Sequence, residues 1–339
     1  MPSLIAAEND FAVWAMLIAI AGFGFWCERY PFGRRYSGVM LLITLAIVLS
    51  NLRIIPTAAP AYDAVWTYLV PVAIPLLLFQ ADLRRVVRED ASGLSKQGTP
   101  KFTPPDGVFV SQGDGHLSDT PMGKLAAQFA AQSWNIYVPA GTTAQTPLVI
   151  EDLQDGHSRM AVMVDKGASL TIVEHHRSAA GFANVDLQVH LAEDAHLTRI
   201  IVQDDGPDMV RVATACIAAE VRATLEQYTL SFGGALSRLE TRLYAEGEDI
   251  NAVLNGAYLL DGKRHCDMTS HIALSSPNCT IRQAVKGVTT DKARGVFQGK
   301  FHVERAAQHT DAEMRHDALM LSDTSQIRAK PELEIYADD

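Results

Sequence analysis

Four short turns built from acidic and small residues recur along the second half of the chain at nearly constant intervals. They are MVDKGASLTI around Lys166, HLAEDAHLTRI around Glu193, CIAAEVRATLEQ around Glu220 and LYAEGEDINAV around Glu246, spaced 27, 27 and 26 residues apart. Short alternating apolar runs separate them, with almost nothing helical between. A repeat of this length, whose strands are too short to bury a face alone, predicts a solenoid of stacked β-coils. Leu170, Ile172, Leu197, Ile200, Leu225 and Val253 are then expected to point inward and stack as ladders along the axis. The competing arrangement is a β-sandwich, for which strand spacings of about 8–12 residues are also normal.

One helical segment interrupts the pattern at MGKLAAQFAAQ, residues 122–132, with Asp119 and Pro121 as start signals. Ahead of it, Gly113 and Gly115 imitate the opening of a dinucleotide fingerprint. Ser118 replaces the third glycine and no alternating parallel α/β pattern follows, so a dinucleotide cofactor is not expected.

The front of the chain obeys a different rule. Hydrophobic residues make up 48% of the 339, high for a soluble chain, and the excess lies in FAVWAMLIAIAGFGFWC (11–27), VMLLITLAIVL (39–49) and AVWTYLVPVAIPLLLF (64–79). Each run is somewhat short of the roughly 20 residues that span a bilayer, although its flanks can extend it. The expectation is about three transmembrane helices over 1–90, attaching the chain to a membrane through residues 11–79, with Pro71 and Pro75 breaking the third. A signal peptide would need a basic start and a small-residue cleavage site, and Glu8 and Asp10 stand there instead. Buried helices of a soluble domain are the other alternative. Three arginines lie between runs one and two, Arg53 alone between two and three, and three just after the third. That distribution places the N-terminus outside and everything after Asp82 in the cytoplasm. Residues 91–107 (ASGLSKQGTPKFTPPDG) read as a linker, and 108–339 as the β domain.

Residues 1–90 carry seven arginines and seven acids, so the remaining 22 basic and 32 acidic residues hold the whole net charge of −10. No cationic stripe suits a phosphate backbone, and nucleic acid is excluded as a partner. The four cysteines form no CxxC pair and read as buried free thiols. Asn278-Cys279-Thr280 fits the glycosylation pattern, but carries no meaning on the cytoplasmic side. The chain contains no GxxxxGK[ST], HExxH or GxSxG, so any ATP-driven step needs a separate protein. The densest ligand-type group is His265-Cys266-Asp267 with His271. In a strand His265, Asp267 and His271 share one face and Cys266 takes the other, which leaves His265 and Cys266 as candidates by ligand chemistry alone. Glu174-His175-His176 diverge in the same way. Carboxylates on stacked strands also allow a membrane-tethered carbohydrate-active β-helix enzyme, although aromatic residues for sugar stacking are only 7% of the chain.

Several blocks in order now carry a resemblance: WNIYVPAGTTAQTPLVI, SFGGALSRLETRLYAEGED, GAYLLDGKRHCDMTSHI, CTIRQAVKGV, ARGVFQGKFHVERAAQHTDAEM and RAKPELEIYADD. From about Val108 to Asp339 the chain resembles the SufD branch of the SufB/SufD family of iron–sulfur cluster assembly proteins. The resemblance implies a mainly β fold, a right-handed parallel β-helix, and a non-catalytic scaffold subunit of a SufB–SufC–SufD complex. It further implies that SufC hydrolyses ATP and that SufB and SufD pair through the ends of their β-helices around the nascent cluster. No cofactor is then held stably, and a transient Fe–S cluster requires SufB. Leu333, Glu334, Ile335 and Tyr336 are the expected interface strand. The family's Lys-Cys-Ser-His-Gly segment, its C-terminal SufC-docking helices and its N-terminal helical region have no counterpart here, so a truncated core with impaired function is expected and no catalytic residue carries over. Residues 1–90 resemble the start of a family of uncharacterised bacterial multi-span membrane proteins through ERYPFGRRYSG, LSNLRIIP and YDAVWTYLVPVAIPLLLFQADLRR. Two resemblances meeting at the linker also allow a fusion of unrelated reading frames, or a transporter fragment joined to a non-functional β-helix.

Overall fold

The computed structural model describes residues 3–6, 9–27, 38–56, 59–65, 98–113, 118–130, 132–151, 153 and 155–337. The chain divides into two compact units, Met1–Glu89 and Asp90–Asp339.

In the first unit α1 (Asp10–Cys27) packs against α2 (Gly38–Asn51) and the short α3 (Pro60–Ala64). A small cluster of Val13, Ala59 and Ala61, flanked by Ile5, Trp14, Leu17 and Tyr62, joins them, and the Tyr62 hydroxyl donates to the Pro56 carbonyl at 2.9 Å. Both longer helices are apolar on nearly every side, and Phe11, Ile18, Trp26, Ile43 and Ile47 are exposed. Among the described residues, however, no helix is long and apolar enough to cross a membrane. At 1.5 Å per residue the 18 residues of α1 and 14 of α2 reach about 27 and 21 Å, against a hydrocarbon core of about 30 Å. The third apolar run lies outside the described residues beyond Val65, as does 91–97 of the linker.

The second unit is a parallel β-solenoid of about seven turns. One sheet holds β1 (Lys101–Thr103) and the even-numbered strands from β4 onward: β4 (Leu148–Glu151), β6 (Ser169–His176), β8 (His196–Gln203), β10 (Thr224–Ser231), β12 (Asn251–Leu260), β14 (Thr280–Thr289) and β16 (Asp311–Met320). The other sheet holds β2 (Phe109–Gly113), β3 (Ser133–Val138), β5 (Gly156–Val164), β7 (Ala180–Leu191), β9 (Asp208–Ala219), β11 (Leu236–Ala245), β13 (His265–Leu274), β15 (Arg294–Val303) and β17 (Gln326–Ile335). Pairing is parallel throughout except at the start, where β1 and β2 cap the two sheets antiparallel to β4 and β3. The helix α4 (Pro121–Phe129) packs on the outer side of β5, β7 and β9. It starts at Pro121, one residue before the run read from the sequence, and ends three residues before it; its N-cap is Thr120, whose hydroxyl accepts from the Gly123 amide at 3.0 Å.

The turns that revealed the repeat are the corners of the coils. At one corner Gly141, Gly167, Asp194, Arg222, Asp249, Asn278 and His309 all take left-handed backbone, one per coil. Their amides bind the next coil: Gly167 to the Glu193 carbonyl at 2.9 Å, Asp194 to Val221 at 3.0 Å, Arg222 to Glu248 at 2.9 Å. The register shows the period drifting. Ser169, His196, Thr224 and Asn251 are successive neighbours 27, 28 and 27 residues apart, but Asn251 to Thr280 is 29 and Thr280 to Asp311 is 31.

Between the sheets lies one continuous core. Leu170, Ile172, Leu197 and Leu225 point into it as expected. Ile200 and Val253 do not: their neighbours Arg199, Ile201, Ala252 and Leu254 face inward, which turns both β-branched side chains to the outer face.

Candidate functional site

Two features of the solenoid depart from an apolar core with a solvated exterior: polar side chains buried along its axis, and the last coil. On β6 the period-two alternation sends Glu174 and His176 inward together and His175 outward. One coil on, Arg199 enters from β8 and donates through Nη2 to the Glu174 carboxylate at 3.0 Å, with Nε bonded to the other oxygen. Its Nη1 reaches Gln227 Oε1 at 3.0 Å, and Gln227 Nε2 donates to Thr241 at 3.0 Å. A coil further, Ser270 donates to Gln283 at 2.9 Å. His176, Arg199, Gln227, Thr241, Ser270 and Gln283 line an interior space of about 40 Å³.

Burial pushes the Glu174 carboxyl up, but the Arg199 charge and the hydrogen bonds from His176 and Arg199 outweigh it and hold the group at about 2. Burial holds His176 below its ordinary value, against the raising effect of Glu174. A neutral His176 donates from Nε2 to Glu174 at 3.0 Å, and its Nδ1 has no hydrogen-bond partner among the described residues. A second buried pair follows close by, near enough for the Arg211 charge to lower His176 as well. Arg211 grips Asp205 through Nε at 2.6 Å and Nη2 at 2.8 Å, donates to the Leu153 carbonyl at 2.6 Å, and shares Asp205 with Gln203. Neither side chain is exposed.

His265 and Cys266 fall on opposite faces of β13. Cys266 is fully buried, and burial, eased by a Ser231 hydrogen bond and reinforced by Asp267, pushes its thiol up to about 12. At neutral pH the enclosed thiol therefore keeps its proton. Asp267 on the outer face is held by Arg238 at 2.7 Å and Thr269 at 2.9 Å. Among the described residues no group of three or more His, Cys, Asp or Glu is placed to hold a metal ion.

At the far end, β16 and β17 each have a strand neighbour on one side only among the described residues. Leu333 and Ile335 continue the inward rows of Phe301 and Val303, yet are 55% and 57% exposed; Met320 on β16 is 55% exposed. Glu334 and Tyr336 lie on the outer face. Glu334 accepts from Lys300 Nζ at 2.8 Å and His302 Nδ1 at 3.0 Å, which hold its carboxyl below the usual range, and Tyr336 leans on the His302 ring. The four residues of the expected interface strand therefore split, two as uncovered core and two as an outer clamp.

Arg199, Gln227, Thr241, Ser270 and Gln283 escape a sequence reading, because each meets its partner only through the coil register. Glu174 and His176 are adjacent enough to be found by their i, i+2 spacing on an inward face.

Comparison with known proteins fits both units. The family described as "SUF system FeS cluster assembly, SufBD core domain" matches residues 149–339, and "Protein of unknown function (DUF819)" matches 15–94. The iron–sulfur cluster assembly protein SufD of Escherichia coli is 27% identical over 227 residues, 63% of this chain and 54% of its own length. The SufBD family protein slr0076 of Synechocystis is 29% identical over 222 residues, 60% of this chain and 49% of its own length. The chain thus spans about half the length of these curated relatives. The uncharacterized membrane protein YjcL of Bacillus subtilis is 36% identical over 90 residues, 26% of this chain and 23% of its own length. With a parallel solenoid in place and a match covering more than half of its residues, the chain belongs to the SufBD core domain family of iron–sulfur cluster assembly.

Proposed function

We propose that the solenoid is a non-catalytic scaffold subunit in iron–sulfur cluster assembly, docking a SufB-type partner at its β16–β17 end, with ATP hydrolysis supplied by a SufC-type partner. The single observation that carries the reading is the last coil. There, among the described residues, the ten-residue strands have no neighbour on their outer edge, and the core-facing Met320, Leu333 and Ile335 are more than half exposed. Unpaired strand edges beside apolar rows are a template for another strand. The coils are right-handed in this reading, as parallel crossovers nearly always are. The solenoid holds no cluster by itself, and any cluster forms with SufB. Residues 11–79 associate with a membrane, the N-terminus lies outside and the solenoid is cytoplasmic; the likeness of the first unit to a membrane protein supports the association, and the distribution of arginines is the ground for the orientation.

Co-expression of the full chain with SufB and SufC tests the reading. It predicts a complex that survives size-exclusion chromatography and is weakened at least tenfold by Leu333→Asp with Ile335→Asp. Retention of full binding by that double variant would remove the assignment of the interface.

A further inference from the structure

The interior of the last two coils is closed by an aromatic stack. Tyr258 reaches from β12 across the core into a slot where Gly287 and Gly295 face it; a Cβ would lie 2.0 Å and 2.4 Å from its ring atoms. His316 enters from β16, lies flat on Phe297 (5.2 Å between centroids, 12° between planes) and places Nε2 3.0 Å from the Tyr258 hydroxyl. Beyond His316 this row has no further strand among the described residues.

We infer that His316 is a proton-operated latch on the terminal coil: its neutral ring holds β16 and β17 closed on the core, and its protonation lets them fray. The inference deepens the docking reading by giving that end a regulator, but it concerns the chain alone.

The surroundings favour a neutral ring. Burial pushes the Tyr258 hydroxyl well above its ordinary value, so it keeps its proton and is able to donate to His316 Nε2 in the tautomer that carries the imidazole proton on Nδ1. From β13 the nearest titratable group is the protonated Cys266 thiol beside Tyr258. The strands β14 and β15 contribute Val285, Gly287, Gly295 and Phe297, none of which titrates. On β16 itself Arg315 and Asp317 point outward and pair with each other at 2.7 Å, so Asp317 offsets an imidazolium only through space. Burial therefore holds His316 below 6.5, its ordinary value.

The sign follows from linkage. A base whose folded value is depressed leaves the coil fully stable above the unfolded value. Stability falls as pH drops below it, and falls no further once pH is below the folded value.

Hydrogen exchange of the full chain over roughly pH 5 to 7.5, corrected for intrinsic rates, reads this directly. Protection of β16 and β17 is expected to fall by up to about tenfold per pH unit below about 6.5. His316→Gln keeps an acceptor for Tyr258 without titrating, and is expected to flatten the profile; it also separates His316 from His302 at the same end. Tyr258→Phe leaves the imidazole but removes its donor, and is expected to move the midpoint up toward 6.5. A level wild-type profile, or an unchanged fall in His316→Gln, overturns the latch. Either result leaves binding of SufB or SufC undecided, so the two readings fail separately.

Discussion

Arg199 shows how a single residue decides what its neighbours do. The run HLTRIIVQ offers two isoleucines and one arginine, and hydrophobicity alone sends Ile200 inward. Strand parity allows Arg199 or Ile200 in the core but not both, and the Glu174 carboxylate makes the arginine acceptable there. Removing one partner strands a buried charge, so Arg199→Met is expected to lower unfolding stability by about 3–5 kcal/mol, and Glu174→Leu with Arg199→Met to recover most of it. Urea midpoints of the two variants make the comparison. Glu174 also ties stability to pH: its contribution is whole above 4.5, the ordinary carboxyl value, and is lost as pH falls toward about 2. Of the seven left-handed corner residues, Gly141, Gly167, Asp194, Asp249 and Asn278 are of types that tolerate that backbone, whereas Arg222 and His309 carry no such signal in the sequence. Asn278→Gly is expected to leave stability nearly unchanged, whereas Asn278→Val is expected to lose about 1–2 kcal/mol, measured by thermal unfolding.

Individual elements were visible to different degrees. The strand β13 was legible in parity: HCDMTSHIAL alternates outward and inward as its residues suggest, and that alternation places His265 and Cys266 on opposite faces. The helix α4 was legible in position, but its cap was not, because Asp119 and Thr120 are both good caps and only the backbone geometry selects Thr120. Thr120→Ala is expected to weaken the helix by about 1 kcal/mol and to raise exchange in α4 without affecting β13. In the first unit, unbroken apolar runs made α1 and α2 predictable as helices. Their described lengths are set by where helical backbone extends, which hydropathy does not report.

At the scale of the whole solenoid, the repeat was readable where its corners stay 26 to 27 residues apart and faded once coils lengthened to 29 and 31. The buried polar file was not readable, because Arg199 and Gln227 become neighbours only after the register places them a coil apart. Each coil touches mainly the one before and the one after, so stability is expected to be close to a sum of coil and junction terms. Exchange protection should accordingly peak in β7 to β13 and decline toward β1, β2 and β17. A single uniform protection across all strands would contradict nearest-neighbour stacking.

The lengthening of the coils also gives the solenoid a direction. The strands β6, β8 and β10 are eight residues long, and β12, β14 and β16 are ten. The large rings Tyr258, Phe297 and Phe301 fill the later coils, where earlier ones hold alanine, valine and leucine. The lengthening is confined to the sheet of β6 to β16: in the other, β7 and β9 have twelve residues and β11, β13, β15 and β17 have ten. A strand that pairs with β16 or β17 meets a ten-residue rung, so a partner strand of eight residues would leave part of that rung unmatched.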